Sequence, residues 1–340
     1  MSESSESVVL RLAQECGFEL AGIAPALPLE AEASQFLSWA SRGLAGEMAY
    51  LTDHRVSLRA DPRTLLPSAR SVVCVGRLYN QPGSEPVARY ARGDDYHDVL
   101  RRDLERMAAA MQDALGPFEY RICVDTAPLL ERSYARAAGI GWIGRNTCLI
   151  NQQLGSYVFL AEILVSLPLS ADAVGPAPDR CGTCTRCIDA CPTEAIVPGG
   201  LRTELDSTRC ISYLTIEYRG DIPESLGIQH GSLAFGCDIC QEVCPWNRKA
   251  PFAEWPGGPV PSDLESLASL SAEEFRAVFR RTPVWRTKYR GLLRNVAVAL
   301  GNSGDSRHRA ALERLAKSED EMVRRHAGRA LHQLEQEAVV

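Results

Sequence analysis

With 37 Lys and Arg against 43 Asp and Glu in 340 residues, the chain carries a formal net charge of -6 and is 45% hydrophobic. That balance excludes a protein that is basic all over, as a general nucleic-acid coat would be, and the length allows about two domains with real cores. The start of the sequence has no basic segment followed by an apolar stretch, and nothing later approaches about 18 apolar residues in a row, so a cytoplasmic protein is expected.

Residues 8–25 predict an amphipathic helix running into a short strand, FELAGIAP. SARSVVCVGRLYN predicts a strand after a proline, and DVLRRDLERMAAAMQDAL a helix with apolar positions at helical spacing. YRICVDTAPLLERSYARAAG predicts a strand followed by a helix, and LGSYVFLAEILVSL one more strand-like run. Residues 1–177 are therefore read as an α/β domain. The Pro- and Ala-rich stretch SLPLSADAVGPAPDR reads as a linker into a ferredoxin-like module at 178–250. Beyond PFAEWPGGPVPSD, a second Pro/Gly boundary, residues 251–340 read as helices. There RNVAVAL (294–300) aligns with RHAGRAL (325–331), matching Arg294 with Arg325, Ala299 with Ala330 and Leu300 with Leu331. This predicts a fragment of a HEAT-type repeat, too short to stand alone and so packed on the domain before it.

Twelve cysteines in a large chain without an export signal point to metal or redox chemistry rather than disulfides. Cys181, Cys184, Cys187 and Cys191 with Pro192 reproduce the bacterial ferredoxin run, in which three thiolates bind one 4Fe-4S cluster and the fourth reaches the other. Cys237, Cys240 and Cys244 with Pro245 match the last three positions of a second run, and Cys210 is the natural replacement for its first. The pseudo-twofold exchange of ferredoxins then assigns Cys181, Cys184, Cys187 and Cys244 to one cluster and Cys191, Cys210, Cys237 and Cys240 to the other. Structural zinc is the competing reading, since it also favours C-x2-C pairs; the tight triple spacing and paired Cys-Pro endings favour iron–sulfur ligation. Cys16, Cys74, Cys123 and Cys148 lie in apolar or strand-like contexts and are read as core.

No GxGxxG follows the early strands and no GxxxxGK[ST] is present, so neither a dinucleotide site nor a P-loop is indicated. Asp125 sits where a strand gives way to a helix, a position suited to a catalytic carboxylate and equally to an N-cap. Gly139, Gly141 and Gly144 would allow close approach of a large ligand or serve as turn glycines. His97, in YARGDDYHDVL, could be a metal ligand or proton donor, or a structural residue before a helix. Arg55, Arg59 and Arg63 could bind phosphate or amide-rich cofactor edges, or form a solvated face.

VDTAPLLERSYARAAGIGWIGRNTCLI, YARGDDYH, CGTCTRCIDACP, DICQEVCPWN and the HEAT-like tail together resemble the epoxyqueuosine reductase family over nearly the whole length. The resemblance implies removal of the epoxide oxygen of epoxyqueuosine at the wobble position of tRNAs with GUN-type anticodons. Electrons would pass from an unidentified donor through the two clusters to cobalamin, bound base-off in a domain similar to that of reductive dehalogenases. Asp125 matches the family's proton donor, with a pKa raised by a desolvated corrin face. The neighbourhoods that match the cobalamin contacts contain Arg55, Asp125, Glu131, Arg132, Asn146, Ser212, Asp238 and Ile239. For tRNA, the run from Arg276 and Arg280 through Arg281, Arg286, Lys288, Arg290 and Arg294, with Trp285 and Tyr289 interleaved, supplies positive charge despite the acidic total. A monomer without membrane contact is expected. The rivals are a small-halide dehalogenase and a plain electron-transfer subunit.

Overall fold

The computed structural model describes residues 3–83, 86–170, 175–258, 260–261 and 263–337. The first region runs α1 (Ser5–Glu15), β1 (Leu20–Pro25), α2 (Glu30–Ser41), α3 (Arg55–Leu58), β2 (Ser71–Leu78), α4 (Tyr96–Leu115), β3 (Tyr120–Cys123), α5 (Glu131–Ala137), β4 (Trp142–Ile143), β5 (Leu149–Ile150) and β6 (Val158–Val165). Its main sheet has the order β1-β2-β6-β3, and every pairing in it is antiparallel. Helices and strands alternate as expected, but the connections are not the parallel crossovers from which a site at strand ends is usually inferred.

The two central strands are covered on both faces, which is why they read as nearly unbroken apolar runs. Val73 and Val75 of β2 and Ile163 and Val165 of β6 pack with Leu12 of α1 and Leu104, Met107 and Met111 of α4. The alternate residues Val72, Cys74 and Leu164 pack with Tyr134 and Ala135 of α5. A one-residue slip would exchange the two sets, so burial on both faces fixes the register. Gly22 of β1 lets α5 lie close on this second face: a Cβ there would meet the Ala138 carbonyl oxygen at 2.3 Å.

The cysteine-rich segment contributes α6 (Arg186–Asp189), β7 (Ile196–Val197), β8 (Glu204–Leu205), α7 (Ile211–Ile216), α8 (Glu224–Gly227) and α9 (Ile239–Glu242). The chain ends in α10 (Leu264–Ser269), α11 (Ala272–Phe279), α12 (Lys288–Asn302), α13 (Arg309–Leu315) and α14 (Glu321–Glu337). Residues 171–174 of the first expected linker, and 259 and 262 of the second boundary, lie outside the described residues. Among those described, no helix is long and apolar enough to cross a membrane.

The helical tail shares its core with what precedes it, since Leu292, Val296 and Leu300 of α12 cluster with Val87, Ala91, Ala234 and Phe235. Its two aligned segments fall on α12 and α14, which approach closely enough that a Cβ at Gly301 would meet that of Ala330 at 2.7 Å. They do not occupy equivalent settings. Arg294 is fully buried, whereas Arg325 is exposed and paired with Asp221 at 2.9 Å. The sequence similarity therefore does not produce two equivalent repeat faces.

Candidate active-site cleft and cluster ligands

The eight expected ligand cysteines fall into two groups in space. Burial pushes the Cys187 thiol up to about 11, and the neighbouring thiols that add to this are Cys181, Cys244 and Cys184. Burial pushes Cys237 up to about 12, with Cys210 and Cys191 adding, and Cys237 and Cys210 act in turn on Cys240. These are the two sets of four given by the ferredoxin exchange. Thiols held this high would not stay ionised alone; cationic iron, when bound, would supply the missing charge. Among the described residues, no three His, Cys, Asp or Glu side chains converge as on a single metal ion. Two sets of four thiols fit two 4Fe-4S clusters, as the ferredoxin-type run leads one to expect.

Segment 142–148 ties this module to the first domain. Trp142 stands edge-on to Trp246 at 5.0 Å, and its buried indole N–H, which lies against Cys181, has no nitrogen or oxygen partner among the described residues. Asn146 is buried; its side-chain amide donates to the Cys240 carbonyl at 3.4 Å, and its Oδ1 accepts the Cys148 N–H at 3.2 Å. Cys148, expected in the core, instead places its thiol against the Cys240 sulfur, a contact that lowers its pKa.

A cleft of about 350 Å³ opens between the two regions, walled by Phe36, Trp39, Met48, Leu51, Leu129, Leu130 and Ile143. Arg59, Asp125, Glu131, Arg132, Thr147 and Arg202 supply polar lining. Asp125 and Thr147 both have positive φ, 49° and 64°, a conformation that non-glycine residues keep only where surroundings enforce it. For Asp125 the restraint is visible: its backbone N–H donates to Glu131 Oε1 at 2.6 Å. Its own carboxylate meets His97 Nε2 at 3.0 Å, while His97 Nδ1 lies 2.7 Å from Asp95. Asp125 thus belongs to a loop held by α5 without capping it; the helix N-cap is Leu130.

Electrostatics divide these groups. Burial opposes charge on His97, but hydrogen bonds to Asp125 and Asp95 outweigh it and push the imidazole up to about 9. Burial likewise works to raise the Asp125 carboxyl, yet His97 holds it below the ordinary range. In the open cleft the proton thus resides on the histidine of the pair, not on a carboxyl raised by desolvation as the sequence reading anticipated. Glu131, by contrast, is pushed up to about 8 by burial and by the charge of Asp125.

A family model described as Epoxyqueuosine reductase QueG, DUF1730 matches residues 59–126, and a 4Fe-4S double cluster binding domain matches 180–247. An epoxyqueuosine reductase from Xanthomonas campestris pv. campestris is 42% identical over 95% of this chain and 94% of its own length. This chain belongs to the epoxyqueuosine reductase family. A Pseudomonas aeruginosa epoxyqueuosine reductase is 42% identical over 85% of this chain and 83% of its own. Two solved structures of epoxyqueuosine reductase share the fold. One, with a tRNA-Tyr epoxyqueuosine-modified stem loop, has a TM-score of 0.84 at 29% identity, covering 96% of this chain and 89% of that one. The other, from Bacillus subtilis, with its catalytic aspartate loop swung out of the active site, has a TM-score of 0.83 at 28% identity over the same shares, 96% and 89%. The chain is therefore an oxidoreductase with a double 4Fe-4S module.

Set in this epoxyqueuosine reductase, the expected cofactor contacts divide. Asp125, Glu131 and Arg132 line the cleft, and Arg132 donates to the Thr147 carbonyl. Asn146 lies behind that wall, on the cluster side. Arg55 is spent on Asp53 at 2.6 Å, and its neighbour Arg59 takes the place in the lining, 5.4 Å over the Phe36 ring. Ser212 stands beside Cys210, where it works against the rise that burial imposes on that thiol. Asp238 is buried and accepts the Arg89 N–H at 2.7 Å; with Ile239 it borders a separate small cavity beside Val87 and Arg92. Of the basic run, Arg281, Arg286, Lys288 and Arg290 are exposed. Arg286 pairs with Glu217 and lies 5.3 Å over the Tyr50 ring, close enough for its charge to act on Asp125. Arg294 is a correction: a phosphate contact needs an accessible guanidinium, and this one is completely buried. Trp39, Thr147 and Arg202 were not singled out by sequence reasoning, because nothing local marks residues that converge only after folding.

Proposed function

We propose that this enzyme reduces epoxyqueuosine to queuosine at the wobble position of tRNA anticodons, with Asp125 as the proton donor. The observation that carries this reading is the Asp125–His97–Asp95 row ending in the cleft, 3.0 Å and 2.7 Å apart, in a lining that also includes Thr147, the residue before Cys148, whose thiol acts on the cluster ligand Cys240. The cleft's apolar walls and three guanidinium groups, Arg59, Arg132 and Arg202, fit a flat corrin fringed with amides and a phosphate. Cobalamin bound there, base-off, would supply a low-potential cobalt centre for two-electron reduction.

The residues of the chain do the rest. Cys181, Cys184, Cys187 and Cys244 would hold one cluster and Cys191, Cys210, Cys237 and Cys240 the other, the second lying nearer the cleft through Asn146 and Cys148. Loss of an epoxide oxygen as water takes two electrons and two protons. Asp125 faces the place where that oxygen would stand, and the proton held by His97 passes to it through the 3.0 Å contact. The Glu131 acceptor keeps the loop turned in. Exposed Arg281, Arg286, Lys288 and Arg290, of which Arg286 is near enough for its charge to act on Asp125, suit the phosphates of a GUN-type anticodon arm, a partner met in the cytoplasm. We read the chain as a monomer served by a separate electron donor.

Anaerobic reconstitution with iron, sulfide and cobalamin, followed by nucleoside mass spectrometry of epoxyqueuosine-containing tRNA, tests the reading. Queuosine should form only with cobalamin and a reductant. No product from enzyme carrying about eight iron atoms and one corrin would overturn it.

A further inference from the structure

Glu162 lies in the middle of β6, opposite Cys74 of β2 and Cys123 of β3. It is fully buried, and among the described residues neither of its carboxyl oxygens has a hydrogen-bond partner. Such a group costs stability, and nothing in the packing of the sheet requires it. The groups facing it are the Cys74 and Cys123 thiols from the flanking strands and Glu131 from the start of α5, whose charge acts on it. Glu131 in turn reaches the cleft and accepts the Asp125 N–H, with Asp125, Arg132 and His97 the charged groups around it. Three acids therefore run inward from the cleft: Asp125 with its side chain 53% exposed, Glu131 at the wall, and Glu162 sealed beneath.

Removing the oxygen as water consumes two protons, and the Asp125–His97 pair holds one. Once it is used, Asp125 has to be reloaded while the substrate still covers the cleft. We propose that Glu131, backed by the sealed Glu162, stores the second proton of the reaction and passes it to Asp125. The Glu131 O–H bond breaks and an O–H bond forms on Asp125, with no change of oxidation state; Asp125 then gives this proton to the departing oxygen. Glu162 cannot readily ionise beside a charged Glu131, so it keeps its own proton. Glu131 regains its proton from solvent when product leaves. Burial keeps the Glu131 acid up at about 8, so the store is filled at neutral pH.

This inference rests on Asp125 as donor, and the tests separate the two. Infrared spectra of the full chain should show a protonated-carboxyl band that disappears as pH rises through about 8 and is missing in Glu131→Gln. Glu131→Gln keeps an oxygen for the Asp125 N–H but carries no acidic proton. In the reconstituted enzyme its turnover should fall at least about tenfold, with the alkaline limb moving from about 8 toward the 9 of His97. Glu162→Met should raise Tm yet lower turnover several-fold, and Glu162→Gln, which retains a donor, should restore most of that loss. If Glu131→Gln turns over at the wild-type rate with an unchanged pH profile while Asp125→Asn is inactive, the store is wrong and the donor stands. If Asp125→Asn itself retains turnover, the donor reading falls and the store with it. Absence of any carboxyl band titrating near 8 would also overturn the store.

Discussion

Arg294 in the helical tail and Glu162 under the cleft are both completely buried ionisable side chains, and they are treated in opposite ways. The Arg294 guanidinium donates to the carbonyls of Leu214 at 2.6 Å, Tyr218 at 2.9 Å and Gly220 at 2.7 Å, and to Asn295 Oδ1 at 2.8 and 3.0 Å. It fastens α12 to α7 and the turn that follows. Among the described residues Glu162 has no such bonds. A buried charge whose donors are all used is architecture, whereas an acid left without partners lowers stability.

The largest expected effect falls on the architectural side. Arg294→Ala strands three carbonyls and the Asn295 amide oxygen, and should lower unfolding free energy by about 3–5 kcal/mol in urea denaturation. A loss below about 1 kcal/mol would erase the contrast between the regions. On the other side, Glu162→Met should raise stability by about 1–2 kcal/mol, because an unpartnered acid leaves the core; a loss of that size would mean that the acid has an unseen structural partner. The same region should govern pH dependence. The folded-state pKa of Glu131, about 8, lies above its ordinary 4.5, so its contribution to stability is full below 4.5 and is lost as pH rises through 8. Tm should therefore decline across that interval in the wild type and decline less in Glu131→Gln; equal slopes would contradict the assignment. The smallest effect belongs to exposed charge. Arg286→Glu with Arg290→Glu should weaken tRNA binding and lower its salt slope by about one per lost phosphate contact. Unchanged affinity at several salt concentrations would remove this patch from the binding face.

The contrast also shows which parts of the molecule a sequence discloses. Cysteine spacing is local, so the ferredoxin pattern with Cys210 added could propose two sets of four thiols, and neighbouring thiols within each set act on one another in the fold. Asp125 was visible at a strand end, but its setting was not. The antiparallel sheet, the loop held by Glu131 and the 3.0 Å contact to His97 depend on elements brought together from separate stretches of chain. His97 looked structural because a histidine before a helix carries no mark of what lies 28 positions away. Arg294 looked like its exposed neighbours because an arginine-rich helix reads the same whichever face is inward; only the carbonyls of residues 214, 218 and 220 show where it points. Glu162 went unremarked inside an apolar strand, where one acid in FLAEILV gives no periodic signal.

The most direct test of the account is turnover of Asp125→Asn in the anaerobically reconstituted enzyme, read as queuosine formed in tRNA. Asn keeps the side chain's shape and a hydrogen bond to His97 but cannot carry the proton. Turnover should fall by about 100-fold or more, with the iron–sulfur and cobalamin spectra and the tRNA affinity of the wild type preserved. Wild-type turnover in that variant would contradict the central claim that this loop delivers the proton to the epoxide oxygen.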